Sequence, residues 1–407
     1  MRRRTGSIGT QAAPASERGI NKAWFFAVLS LGMFSTQNAV FMLPPLLVEI
    51  STDLEISVPV AGQLATATFA AWAVSLLTVG PLSDSFGRRP VILAGLLVLV
   101  AAVLASAFAP NIEVFLVLRV LIGLAAGTLP PTSVGVLSDV ISPERRAQAV
   151  SGILAVGVLT TAVSVPVVAV LADWQGWRFT FVISGLLLAS AFVANWLWFP
   201  RGSNERVRRL SFFSRYRSLL SLGYFRAAVA VGLSQRIAYW TIVSYYAAYL
   251  IKTYGLNVGF AALPLWIVAV AQVIGNYAGG FVAMRPYRAA LLGATSAAGG
   301  ICAFLCFSFD FQLWVSVALA TAGTGLLSIT MATLVAASTE YSGESKATGA
   351  SIMGLSNQSA GALGAAVSGG ILASVGFEGI GYLCLAVTLV SALLAGVFGR
   401  HLRIGVG

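Results

Sequence analysis

The chain has 407 residues, 58% of them hydrophobic and only 10% charged, with a formal net charge of +11. A soluble domain carries about 25% charged residues, so this composition excludes a water-facing globule and makes lipid the solvent for much of the surface. The apolar runs are helix-length rather than alternating ten-residue strands, which favours a helical bundle over a barrel.

In chain order, residues 1–22 are polar and arginine-bearing. They read as a disordered tail, not a signal peptide, because no apolar core precedes Ala23. Six apolar spans follow at 23–47, 58–80, 90–109, 113–138, 147–171 and 179–199. Residues 200–224 form the one long polar linker. Six further spans occupy 225–250, 259–283, 289–308, 311–337, 347–374 and 379–399, and residues 401–407 form a short tail. The expected domains are therefore a tail (1–22), a first six-helix half (23–199), the linker (200–224), a second half (225–400) and the closing tail.

Basic residues set the orientation. Twenty-one of the 25 lysines and arginines fall in the tails and in the loops on the same side as the linker. Arg178 and Lys252 lie on the other side, and Arg119 and Arg236 lie within spans. That asymmetry puts both termini in the cytoplasm. The net charge is thus a topology signal with attraction to anionic lipid, not a footprint for nucleic acid. The halves also read as parallel repeats at an offset of 200 residues. Gly80 pairs with Gly280, Arg88 with Arg288, Gly123 with Gly323, and Ser138, Ser142 and Glu144 with Ser338, Ser342 and Glu344.

All fourteen acidic residues lie at or near span edges. The first span carries Thr36-Gln37-Asn38, amides that bind by hydrogen bonds but do not titrate. The deepest charge is Arg236, about 16 Å from the inner boundary at helical rise. Left unpaired there it costs at least ~2.5–3.5 kcal/mol. Gln235, Tyr239 and Trp240 surround it at helical spacing. Gln272 and Asn276, Thr321 and Thr324, and Asn357 and Gln358 are further midplane polar groups, suited to solute contact or to hydrogen bonding between helices. Tyr245 and Tyr246 lie near the outer boundary, where an aromatic belt is an equal reading. Cys302, Cys306 and Cys384 sit in apolar spans and read as packing residues. No nucleotide loop, metal cluster or catalytic triad is recognisable, so neither enzymatic activity nor a cofactor is expected.

The loop after the second span, Gly80-Pro81-Leu82-Ser83-Asp84-Ser85-Phe86-Gly87-Arg88-Arg89-Pro90, resembles the conserved hinge between helices 2 and 3 of the major facilitator superfamily. Arg119-x-x-x-Gly123-x-x-x-Gly127 resembles that family's embedded arginine in helix 4, and Trp177-Arg178 a common opening of helix 6. Helix 5 has Gly152, Gly157 and Val165-Pro166 but no Gly-Pro of the antiporter type. The resemblance covers about residues 20–400. It implies an all-α membrane protein with twelve transmembrane helices in two pseudo-symmetric six-helix halves that rock around a midplane site. Helices 1, 4, 7 and 10 would line that site, built from Gln37, Asn38, Arg119, Gln235, Arg236, Tyr239, Trp240, Gln272, Asn276, Thr324, Asn357 and Gln358.

The hinge implies a latch. Asp84 would accept hydrogen bonds from the start of helix 11, and Arg88 would bridge Asp84 and Asp139, with Gly80, Gly87 and Arg89 shaping the turn. The second copy has Met284 in place of Asp84, so the latch is expected to be one-sided. The implied function is export of a small organic molecule, such as a drug, sugar or metabolite, in exchange for protons. The implied setting is a monomer in the inner membrane of a prokaryote. The alternative is a facilitator or symporter of an organic anion held by Arg236 and Arg119. A non-transporting membrane receptor is the alternative from another class.

Overall fold

The structure, a computed structural model, describes residues 22–199, 212–342 and 346–402. Most of the expected tails, and the first half of the expected linker, lie outside these residues. Among the described residues all regular structure is helical.

The first span is broken between α1 (Lys22–Phe41) and α2 (Leu43–Asp53), which continues past the span's end at residue 47. Pro44 and Pro45 open α2; neither can donate an amide hydrogen to the preceding turn, so the helix breaks at Met42. Next come α3 (Val58–Phe86) and α4 (Arg88–Ser106), joined at Gly87, whose φ of 89° suits only glycine. The fourth span is again split, into α5 (Ile112–Ala126) and α6 (Leu129–Val140), with Pro130 and Pro131 acting as Pro44 and Pro45 do. The continuous element α7 (Pro143–Trp198) contains the fifth and sixth spans, and it turns at Gly176 (φ 81°).

After a short helix, α8 (Phe212–Ser221), come α9 (Gly223–Tyr254), α10 (Val258–Ala283), α11 (Arg288–Ser308), α12 (Leu313–Tyr341), α13 (Lys346–Ser374) and α14 (Phe377–Val397). A 3-10 turn, Gly399–Leu402, follows. Ser57, Asn111 and Asn257 cap the starts of α3, α5 and α10, each accepting a hydrogen bond from the amide three residues on.

Nine stretches among the described residues are long and apolar enough to cross a membrane; one of them, Gln148–Trp198, includes the Gly176 turn. Their outer faces carry bare apolar side chains such as Val117, Phe260, Ile274 and Leu393, as lipid-facing helices require. The helices α9 and α13 are outside this set, although they have 32 and 29 residues. Polar residues dilute their hydropathy, and those residues build the site described below.

Helices α1 and α3–α7 pack mainly on one another, as do α9–α14. The largest contacts that join them are α3 on α13, α7 on α10, and α2 on α9. The joint is tightest near the capped ends. A side chain at Gly62 or Gly369 would strike the Tyr245 hydroxyl, and one at Gly259 the Asp173 carboxylate. Midway, Gly361 lies against Phe69; further along, a Cβ at Gly354 would meet only Leu76, at 3.7 Å. Beyond that, Leu82, Phe86 and Met284 are exposed. The structure is therefore closed across the end that bears Arg178 and Asn257.

Candidate functional site

The polar centre of the molecule lies on α9. Arg236, Tyr239 and Trp240 share one face of that helix, because residues three and four apart fall in line. The Arg236 guanidinium carbon lies 3.6 Å from the centre of the Tyr239 ring and 5.7 Å from that of Trp240. Its Nε donates to Asn357 Oδ1 on α13 at 2.7 Å, and Trp240 Nε1 donates to the same oxygen at 3.2 Å. Arg236 is 6% exposed, and its Nη1 is buried without a hydrogen-bond partner. It neither snorkels to a boundary nor rests on backbone carbonyls.

The aromatic wall continues across the joint. Phe41 of α1 stacks on Trp240 at 5.7 Å and 10°, and Phe69 of α3 lies 4.6 Å away. Tyr239 donates its hydroxyl to Gln272 Oε1 of α10 at 2.7 Å. Asn276 stays on its own helix, donating to the Gln272 carbonyl. Gln272 also lines a small cavity of about 40 Å³ between α1, α2, α7, α9 and α10, bounded by Phe41, Pro45, Thr161 and Tyr246. That is room for a water or two.

Other expected site residues are placed elsewhere. Asn38 faces α7, donating to Ser184 Oγ at 3.0 Å and accepting from Ser164 Oγ. Arg119 is fully buried between Phe115 and Phe181, its guanidinium carbon 5.3 and 5.0 Å from their ring centres, with one hydrogen bond to the Ala39 carbonyl at 3.2 Å. Both are core groups of the first six spans, displaced from the cavity side because serines and aromatic rings on α5 and α7 hold them. Thr324 returns its hydroxyl to the Ala320 carbonyl. Gln235 donates to the Leu327 carbonyl of α12 at 2.6 Å, leaving its Oε1 without a donor. Gln37 and Gln358 also keep buried amide oxygens without partners. Tyr245 and Tyr246 are not a belt at the lipid surface; they are buried, with Tyr245 donating to the Ala365 carbonyl.

At the other end, the side chains of Asp84 and Asp139 lie outside the described residues. Gly80 is in α3, the Arg88 guanidinium packs on Gly135 of α6, and Arg89 donates to the Trp196 carbonyl at 2.7 Å. The second copy of the hinge departs from expectation. Arg288 is 1% exposed and pairs with both oxygens of Glu340, at 3.0 and 2.9 Å, while donating also to Ala283 O, Leu402 O and Tyr341 Oη. A carboxylate at the end of α12 thus supplies what Met284 cannot, so the second copy has its own acidic partner. The offset of 200 hid it, since Glu340 aligns with Val140, one place beyond Asp139. Phe41 and Phe69 were also missed. Only their depth in the first two spans, level with Trp240, could have signalled them.

A family model described as Major Facilitator Superfamily matches residues 29–365. The chain belongs to the major facilitator superfamily. Among characterised relatives, it is 27% identical over 205 residues to a chloramphenicol resistance protein of Pseudomonas aeruginosa, covering 49% of each chain. It is 31% identical over 161 residues to the 4-hydroxybenzoate transporter PcaK of Pseudomonas putida, covering 39% of this chain and 36% of that one. The chain thus spans about half and about a third of those relatives. A solved structure, a bacterial homologue of the human lysosomal transporter Spinster in an inward-facing and occupied conformation, superposes with a TM-score of 0.78. That match has 17% identity and covers 94% of this chain and 98% of that one. The fold is that all-α membrane fold of the superfamily.

Proposed function

We propose that the protein is a secondary transporter for a small organic anion, an aromatic carboxylate foremost, and that Arg236 is its anion-binding centre. One observation carries this reading. Arg236 is a buried guanidinium that pairs with no carboxylate among the described residues, and its Nη1 has no acceptor. An uncompensated charge at that depth costs several kcal/mol; a solute carboxylate recovers it through charge-assisted hydrogen bonds. The rings of Tyr239, Trp240, Phe41 and Phe69 then offer a planar body stacking partners. The relative that carries 4-hydroxybenzoate is of this solute class.

Movement would be by alternating access. Residues 23–199 and 225–400 rock about the joint, with 200–224 as linker and both termini in the cytoplasm of a prokaryotic inner membrane. The chain works as a monomer. Asp84, Arg88 and Asp139 latch the cytoplasmic side when the outer side opens. Asp84→Asn then slows flux, and unchanged flux in a well-expressed variant removes the latch.

Proton-coupled export of a neutral aromatic is the second reading, favoured by the hinge motif and by the chloramphenicol resistance relative. Proteoliposome flux decides between them, using benzoate, chloramphenicol and an aromatic cation with and without an imposed pH gradient, against protein-free liposomes. Saturable benzoate movement supports the anion reading. Movement of chloramphenicol alone, dependent on the pH gradient, overturns it.

A further inference from the structure

We infer that the carboxamide oxygen of Asn357 is a built-in placeholder for the solute carboxylate, so that solute binding at Arg236 and release of α13 from α9 are one event. This rests on the reading of Arg236 as the anion site.

Two N–H donors one turn apart on α9, Arg236 Nε and Trp240 Nε1, converge on Asn357 Oδ1 at 2.7 and 3.2 Å. One of the donors is cationic, so the position suits an anionic oxygen. The group that fills it is a neutral amide. These are the only hydrogen bonds that the Asn357 side chain makes among the described residues. A carboxylate oxygen accepts from a guanidinium about twice as strongly as a neutral acceptor does. A solute carboxylate that reaches this point therefore displaces the amide, and Arg236 has further N–H groups for its second oxygen.

The helix that carries the placeholder is a joint element. The backbone of α13 runs close to α9, since a Cβ at Gly364 would stand 2.8 Å from the Ile237 carbonyl oxygen. Among the described residues, polar ties between the two helices are made from three places. Asn357 binds Arg236 and Trp240, Thr241 Oγ1 lies 2.7 Å from Ser368 Oγ and 3.5 Å from the Gly364 carbonyl oxygen, and Tyr245 donates to the Ala365 carbonyl at 3.0 Å. The last two lie toward the closed end, so solute displaces only the first. The freed half of α13 is the half that meets α3 at Gly354 and Leu76, where packing is already thin. Occupancy of the site is thereby converted into freedom of α13 on that side, while the closed end stays tied. A bound solute changes the conformational balance only through such a difference in contacts.

The test is benzoate binding to the purified full chain, by calorimetry, in wild type, Asn357→Ala and Asn357→Asp. Removing the placeholder raises benzoate affinity about 3–10-fold in Asn357→Ala. A fixed carboxylate in its place lowers affinity at least 10-fold in Asn357→Asp and raises the unfolding temperature. Weaker binding by Asn357→Ala would make Asn357 a solute ligand and overturn the inference, as would unchanged affinity in both variants. If neither wild type nor Asn357→Ala binds benzoate, the anion reading itself fails. Opposite shifts in the two variants have no explanation in lost packing alone, which lowers stability in both and moves affinity in neither.

Discussion

Two buried arginines of the later helices, Arg288 and Arg236, differ in how completely they are satisfied. Arg288 gives hydrogen bonds to a carboxylate, two carbonyls and a tyrosine hydroxyl. Arg236 gives one, to an amide, and keeps a buried nitrogen without an acceptor. A saturated cation ties elements together: Arg288 joins the starts and ends of α10, α11 and α12 to the 3-10 turn at Leu402. An unsaturated one holds unspent binding energy. The same side chain in two environments thus marks structure in one place and a candidate site in the other.

The largest effect should come from breaking the saturated partner. Arg288→Ala leaves the Glu340 carboxylate and two carbonyls without their donor. Loss of one partner of a buried ion pair costs 3–5 kcal/mol, and because the Glu340 side chain is 42% exposed the lower end, about 3 kcal/mol, applies. Thermal unfolding in detergent measures it. Benzoate affinity of the folded fraction should stay unchanged; a loss of affinity without a loss of stability would reverse the roles given to the two arginines.

Arg236→Gln comes next. Hydrogen bonds to charged groups are worth about 1.5–3 kcal/mol, so benzoate binding should weaken by roughly 10- to 100-fold. Stability should hold or rise, because the variant removes a buried charge with no counter-ion. A variant that binds benzoate as well as wild type would make Arg236 a structural group like Arg288.

How far this contrast could be read from the chain follows from what decides it. That Arg236 and Arg288 are present, and roughly how deep, follows from span lengths and the 1.5 Å rise. The break of the first span is legible in Pro44-Pro45, and that of the fourth in Pro130-Pro131. Partnership is not legible. Asn357 lies 121 residues from Arg236, and nothing in the local pattern says that its amide turns to α9 while that of Asn38, equally deep, turns to two serines of α7. Helical depth places a residue at a level in the membrane; only packing decides the direction it faces, and that is why Arg119 and Asn38 join the candidate site on paper but not in space.

Arg119 sharpens the comparison from a third position. It is as buried as Arg288 yet makes a single hydrogen bond, and its Nε and Nη2 have no acceptors. By that count it resembles Arg236, but Phe115 and Phe181 enclose it, and its partners among the described residues all belong to the first six spans. Incomplete pairing marks a site only when a solute can arrive. Arg119→Met, similar in length and apolar, should therefore change stability by no more than about 1 kcal/mol in either direction and benzoate affinity by less than about twofold. A loss of affinity like that of Arg236→Gln would restore Arg119 to the site.

The smallest effect is expected from a charge of opposite sign at the closed end. Glu49 lies on α2, beyond the apolar stretch Ala23–Phe41. Its Oε2 is buried and accepts no hydrogen bond. Burial, and after it the negative charge of Asp173, hold its carboxyl above the ordinary value of 4.5. Because the folded value is raised, the stability that protonation of Glu49 gives is fully present below about pH 4.5 and is lost as pH rises through the folded value. Glu49→Gln is neutral at every pH. Its unfolding temperature should match that of wild type near pH 4 and exceed it once the pH has risen through the folded value, where the wild-type carboxylate ionises beside Asp173. A wild type that is the more stable protein in that range would mean that the Glu49 carboxylate has a partner after all. Glu49 would then belong with Arg288 among the satisfied charges, rather than with Arg236 among those that await one.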